Sequence, residues 1–128
     1  MKEITIILLI ITLVVVGHVY VYSYLNTTSN SIIEELQSLN TNINKEEISL
    51  ESLIEKSDDI KYKWNEIKET WSNIILHEEV DAIETALIRT KAKIETDEKE
   101  EAIEDIQTAI FLLEHIKEKE KVNLKNIF

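Results

Sequence analysis

The sequence contains no cysteine and no proline, and its one glycine is Gly17. Without cysteine the fold cannot depend on disulfides in any redox compartment. There is also no thiol to act as a nucleophile. Without proline, and with no glycine after position 17, the chain has none of the usual helix breakers, so element boundaries must be sought in caps and changes of face. A calcium-binding loop of the glycine-containing kind is absent for the same reason. Positive charge is scarce: 14 Lys and Arg stand against 25 Asp and Glu, a formal net charge of −11. Such a surface is repelled by phosphate backbones, which excludes nucleic acid as a partner.

Against these absences stands one long apolar run. Residues 4–24, from Ile4 to Tyr24, carry no charged side chain. As a helix they would span about 31 Å, the thickness of a bilayer's hydrocarbon core. A cleavable signal would have a shorter apolar region, a clear basic start and a small-residue exit. Here Lys2 is offset by Glu3, and Val21-Tyr22-Ser23 is a poor cleavage site. Tyr20, Tyr22 and Tyr24 crowd the far end, where amphipathic rings favour the interface. The run is therefore expected to be retained as a single-pass anchor, with the bilayer as partner of residues 4–24. A charged His18 would be costly in lipid, which favours a neutral ring or a place near the outer boundary. Lys2 and the terminal amine precede the run, and no Lys or Arg follows until Lys45. That bias points to a cytoplasmic N-terminus and an extracytoplasmic remainder. A prepilin would need a Gly-Phe-type processing site and a Glu inside the run, and neither is present.

The remainder reads as helix throughout. Residues 26–30, Asn26 to Asn30, form a polar stretch of weak helix formers, expected as a hinge between an anchor (1–25) and an acidic bundle (31–128). Ser31 with Glu34 has the form of a capping box, followed by Ile32, Leu36, Leu39 and Ile43 at helical spacing. Asn40, Thr41, Asn42 and Asn44 then weaken the helix, and Asn44 with Glu47 offers a new start. From there Leu50, Leu53, Ser57, Ile60, Trp64, Ile67, Trp71 and Ile74 alternate steps of three and four, a seam for packing on another helix. Because the register passes through Ser57-Asp58-Asp59, that helix is expected to be continuous.

Beyond Ile75 a second stripe, Leu76, Val80, Ile83, Leu87 and Ile94, is centred about 160° around the helix from the first. One straight helix cannot turn both stripes to one core, so the chain is expected to bend near Leu76–Glu79. The last element opens at Thr96-Asp97 with Glu100 in capping position. It is expected to bury Ile103, Ile106, Ile110, Leu113 and Ile116, and lysines near its end suit the helix dipole. The fold class that follows is all-α: an N-terminal transmembrane helix, then an extracytoplasmic antiparallel bundle of about three to four helices.

Trp71, the segment Leu76-His77-Glu78-Glu79-Val80-Asp81, Leu113-Glu114-His115-Ile116, and the segment Asn123-Leu124-Lys125-Asn126-Ile127-Phe128 resemble a small family of clostridial-type single-pass membrane proteins. That family is catalogued as domain of unknown function 4363. The likeness covers nearly the whole chain and implies the same architecture in a bacterial setting, with no activity attached.

Candidate chemistry falls on the same motifs. His77-Glu78-Glu79-Val80-Asp81 departs from the zinc-binding His-Glu-x-x-His pattern at Asp81, where the second histidine should stand. A metal site would need His77, Asp81 and His115 together. The favoured expectation is instead that His77 and His115 are partly buried helix residues bonded to neighbouring carboxylates. Trp64 and Trp71, seven residues apart on one face, are expected as core or interhelical anchors and as interaction candidates. Ile127 and Phe128 are expected either to fold back on the bundle or to bind a partner. No catalytic constellation and no cofactor are expected. The expected function is a non-catalytic interaction or structural module docking a membrane-protein or envelope partner. The alternative is an extracytoplasmic ligand- or metal-sensing domain. Only three residues precede the apolar run, so any signal would pass laterally to another membrane protein.

Overall fold

Lys2–Asn42 form one unbroken helix, α1, in the computed structural model, which describes residues 1–127 and side chains through Asn126. At 1.5 Å per residue α1 is about 62 Å long. Its first half is bare. The apolar window that qualifies it as a candidate membrane span is entirely unburied, and Ile4, Leu8, Leu13 and Val16 all lie exposed. The few polar groups there are satisfied within the helix. Thr5 donates to the carbonyl of Met1, Thr12 to that of Leu8, and His18 Nδ1 lies 3.2 Å from the Val14 carbonyl. A spanning helix needs that arrangement, because lipid supplies no hydrogen-bond partners.

The expected hinge at 26–30 is not a hinge. α1 runs straight through it, and the Ser31–Glu34 pair lies mid-helix rather than at a start. The physical reason is largely tertiary: three of the five polar residues of the stretch, Thr28, Ser29 and Asn30, are held by side-chain bonds. Thr28 donates to the Tyr24 carbonyl at 2.8 Å, and Ser29, buried, donates to the Leu113 carbonyl at 3.4 Å. Asn30 accepts from Lys117 Nζ at 2.8 Å. Packing overrides weak helix propensity. Leu25 is already buried and Val21 packs on the core, so the bundle begins several residues before position 31. Further along, Ile32, Leu36, Leu39 and Ile43 are buried as their spacing indicates.

The connection Ile43–Ser49 ends in an N-cap that differs from the expected Asn44. Ser49 accepts from the backbone of Ser52 at 3.2 Å and opens α2, Leu50–Ser72. With the start moved, Leu50 falls outside the seam and is exposed, while Ile48 packs against the core. Leu53, Ser57, Ile60, Trp64 and Trp71 are buried along one face, and the helix is continuous at Ser57, whose hydroxyl donates to the Ile54 carbonyl.

The chain turns at Asn73–Leu76, at the leading edge of the expected bend. Two successive amides, Ile74 and Ile75, bond the Trp71 carbonyl, and extended Leu76 precedes α3, His77–Glu95. Glu78 and Glu79 in its first turn complement the helix dipole. The reversal brings Val80, Ile83, Leu87 and Ile94 to the core already lined by the tryptophans.

Thr96 and Asp97 close α3 rather than open the next helix. Asp97 takes a left-handed backbone (φ 58°), its amide bonds the Ile94 carbonyl and that of Glu98 bonds Lys93. This is the helix stop that glycine normally serves; in a chain without a glycine here, an aspartate tolerates it. α4 follows at Lys99–Ile127. Its buried line is Ala102, Ile106, Ala109, Leu113 and Ile116, with Ile103 and Ile110 at the margin rather than at the centre.

The four helices form an up-down-up-down bundle. α1 packs on α2 and α4 and α3 packs on the same two, while among the described residues the backbones of diagonal helices do not approach closely. Ion pairs clasp three of these seams: Lys63 to Glu35, Lys61 and Lys68 to Glu84, Lys91 to Asp58, and Lys119 to Glu79.

Candidate functional site

The end of the bundle next to the apolar half of α1 collects most of the residues singled out in the sequence. Its level is set by cross-helix bonds: Thr28 faces Trp71, Asn30 faces Lys117, and Glu79 faces Lys119. α2 therefore descends toward the apolar half of α1, reverses at Asn73–Leu76, and α4 descends alongside.

Both tryptophans are fully buried, with 0% exposure, so neither is a surface for a partner. They meet edge to face, with ring centroids 5.5 Å apart and planes at 72°, a favourable geometry for aromatic pairs. Trp71 Nε1 donates to Thr28 Oγ1 at 3.0 Å, and Thr28 passes its own proton to the Tyr24 carbonyl. This chain of bonds ties α2 to α1 just above the apolar run. Trp64 Nε1 is buried without an acceptor. An unmade bond of this kind costs about 1–3 kcal/mol, so the ring is retained for packing and not for its N–H.

His77, Asp81 and His115 do not come together. His77 is the first residue of α3 and Asp81 lies one turn on, both exposed. His115 is exposed on the outer side of α4, where its ring stacks on Phe111 at 6.1 Å and 18°. Among the described residues no group of three or more His, Asp or Glu is placed to hold a metal ion. The surface hollows are open. One of about 490 Å³ lies between α1 and α2 at the far end and is lined by Glu35, Asn42, Ser52, Lys56 and Asp59 among others. Another, of about 310 Å³, lies along α4 at His115, Glu118, Lys119, Val122 and Asn123.

Electrostatics concentrate on Glu84. Hydrogen bonds from Lys68 and then Lys61 hold its carboxyl below the usual carboxylate value. The pairing joins α2 to α3 from a partly exposed position, so it is structural.

Large apolar side chains left exposed outside the run include Leu76 (65%), Phe111 (67%), Ile88 and Val122. Leu76 was expected as part of a buried stripe; it instead ends the turn with its side chain outward. Phe111 escaped notice although its position was legible: it lies off the three-four spacing of α4. The side chain of Ile127 and all of Phe128 lie outside the described residues.

The family described as Domain of unknown function (DUF4363) matches residues 19–127, and the chain belongs to it. No curated protein and no solved structure matches. The matched region begins two residues before Val21, the first side chain of α1 to pack on the core.

Proposed function

We propose that this member of the DUF4363 family is a single-pass membrane protein whose acidic bundle is a non-catalytic interaction or structural module. The bundle would stand on the extracytoplasmic side and dock a membrane-protein or envelope partner. One observation carries the reading: α1 passes without interruption from an exposed all-round apolar half into a buried amphipathic half. A helix apolar on every side is accommodated by lipid, and one apolar on a stripe by a protein core. The bundle is thus held at fixed height and fixed rotation above the anchor. A tether that only localised an enzyme would have no use for such rigidity; a docking surface has, because a partner in the same membrane meets it already oriented.

The faces available are the outer sides of α3 and α4, which carry Ile88, Phe111 and His115. Two measurements test the reading. Cysteines introduced at Thr108 and Lys2 of an otherwise cysteine-free chain should differ in labelling by an impermeant reagent on intact cells, with Thr108 modified and Lys2 protected. A photo-crosslinker at Phe111 in native membranes should give one discrete adduct, lost on Ile88→Asp or His115→Asp without change in melting temperature. Modification of Lys2 and not Thr108 would reverse the topology. A smear, or no adduct from any outer-face position, would remove the docking role.

A further inference from the structure

We infer that the bundle has a second contact with the bilayer: the end of α4, beyond Lys121, together with Leu76 of the α2–α3 turn, lies in the interface from which α1 emerges. The inference rests on the reading of α1 as a membrane span.

The levels of the four helices carry it. Lys119 pairs with Glu79, so Leu76, three residues before Glu79, is at about the height of Val122. Lys117 reaches Asn30 and Leu113 is bonded by Ser29. Counting down two antiparallel helices from these bonds puts Val122 level with about Tyr20–Leu25 of α1. α4 continues as helix to Ile127, another turn and more toward the apolar run. Tyr20, Tyr22, Tyr24, Leu76 and Val122 therefore share one layer. If residues 4–24 span the hydrocarbon core, that layer is its outer boundary.

The side chains in the layer suit that boundary. Leu76 is 65% and Val122 53% exposed to solvent, and Leu124, on the opposite side of α4 from Val122, is half-buried. Below the turn α2 and α3 are absent, so α1 is the one helix left beside α4. Lys121 and Lys125 flank these apolar residues, both exposed. Long cationic side chains at this depth lay their stems along apolar surface and lift the ammonium to the headgroups. From Lys117 to Phe128 four lysines stand with Glu118 and Glu120. Two of the four are taken up by facing glutamates, Lys117 by Glu114 at 3.2 Å and Lys119 by Glu79, with Glu78 exposed nearby. That leaves Lys121 and Lys125 as the lysines placed at the boundary. The far end of the bundle contrasts with this. Asn44, Lys45, Glu46 and Glu47 in one connection, and Asp97 and Glu98 in the other with Lys99 and Glu100 opening α4, offer nothing to lipid.

The test uses the full chain reconstituted in phosphatidylcholine–phosphatidylglycerol vesicles. Single cysteines at Val122, Leu124, Leu13 and Asn44 carry an environment-sensitive fluorophore, challenged with spin-labelled lipid and with aqueous iodide. The inference requires that labels at Val122 and Leu124 lose most of their emission to shallow spin-labelled lipid, that Leu13 responds to the deep probe, and that Asn44 responds to iodide alone. Iodide quenching at Val122 with lipid quenching at Leu13 would overturn the second contact and leave the anchor standing. Protection of Val122 from both quenchers would mark a protein neighbour and also overturn it. No lipid quenching at Leu13 would remove the anchor and the inference together. Because Val122 is exposed, its label settles the matter even if one at Leu124 disturbs the packing.

Discussion

The two halves of α1 differ in apolar content, in its arrangement and in environment: 13 of the 17 residues from Ile4 to Tyr20 are apolar, against 6 of the 19 from Leu25 to Ile43. From Ile4 to Tyr20 apolar side chains point in every direction and none is buried. From Leu25 to Ile43 they recur every three or four residues, and Leu25, Ile32, Ile33, Leu36, Leu39 and Ile43 all enter the core. The exposed half thus differs from the core-facing half in both the number of its hydrophobes and their arrangement, all round in one and on a stripe in the other. No break is needed between them, since Thr28, Ser29 and Asn30 find partners on α2 and α4 while the helix continues.

The same substitution in the two halves should sharpen the contrast most strongly. Leu36→Ala, in the core, should destabilise the bundle by about 2–5 kcal/mol, read as a lowered melting temperature in detergent. Leu9→Ala, in the bare half, should change it by less than about 0.5 kcal/mol. Equal losses would mean that the apolar half also packs on protein.

The tie between the halves comes next. Trp71→Phe removes ring volume and the bond to Thr28, whereas Trp64→Phe removes volume and relieves an N–H that has no acceptor. Trp71→Phe should therefore cost more, by about 1–2 kcal/mol. Thermal unfolding of both variants decides, and the reverse order would show that the Thr28 bond contributes little.

A smaller effect distinguishes the bundle by its charge. Because the folded Glu84 carboxyl lies below its ordinary value of 4.5, its pairing contributes stability above that value. The contribution is lost as pH falls through the lowered one. Glu84→Gln should cost about 0.5–1 kcal/mol near neutrality and flatten the acid limb of the melting-temperature profile below about pH 4.5. An unchanged acid limb would assign that limb to other carboxylates. The smallest expected change is a gain: Asp97→Gly, at a left-handed position, should stabilise by about 0.5–1 kcal/mol, measured by chemical denaturation.

Much of the architecture was legible from residue spacing. The candidate span announces itself by length alone, and Ile32, Leu36, Leu39 and Ile43 or Trp64 and Trp71 by their period. What was not legible depended on partners distant in sequence. Asn26–Asn30 has the composition of a hinge, and its helix is supported by bonds from Trp71 and Lys117 and by the bond Ser29 donates to the Leu113 carbonyl, all to partners distant in sequence. In α4 the larger Ile103 and Ile110 drew attention from Ala102 and Ala109, although small residues occupy the buried line where helices approach closely. Asp97 misled because the side chain that favours a helix start also tolerates a left-handed stop. For the candidate site, His77 and His115 suggested chemistry by residue type, while their separation on two helix surfaces could not be read from spacing within either segment. Leu76 and Phe111, the exposed apolar residues, differ from core residues only by a position or two in register.

The continuity of α1 is tested most directly by the distance between spin labels at Leu13 and Thr41, both exposed, in the full chain held in lipid nanodiscs. An unbroken helix across 28 residues requires a single narrow distribution centred near 42 Å. A broad distribution, or one centred well below that distance, would place a joint between anchor and bundle and contradict the account.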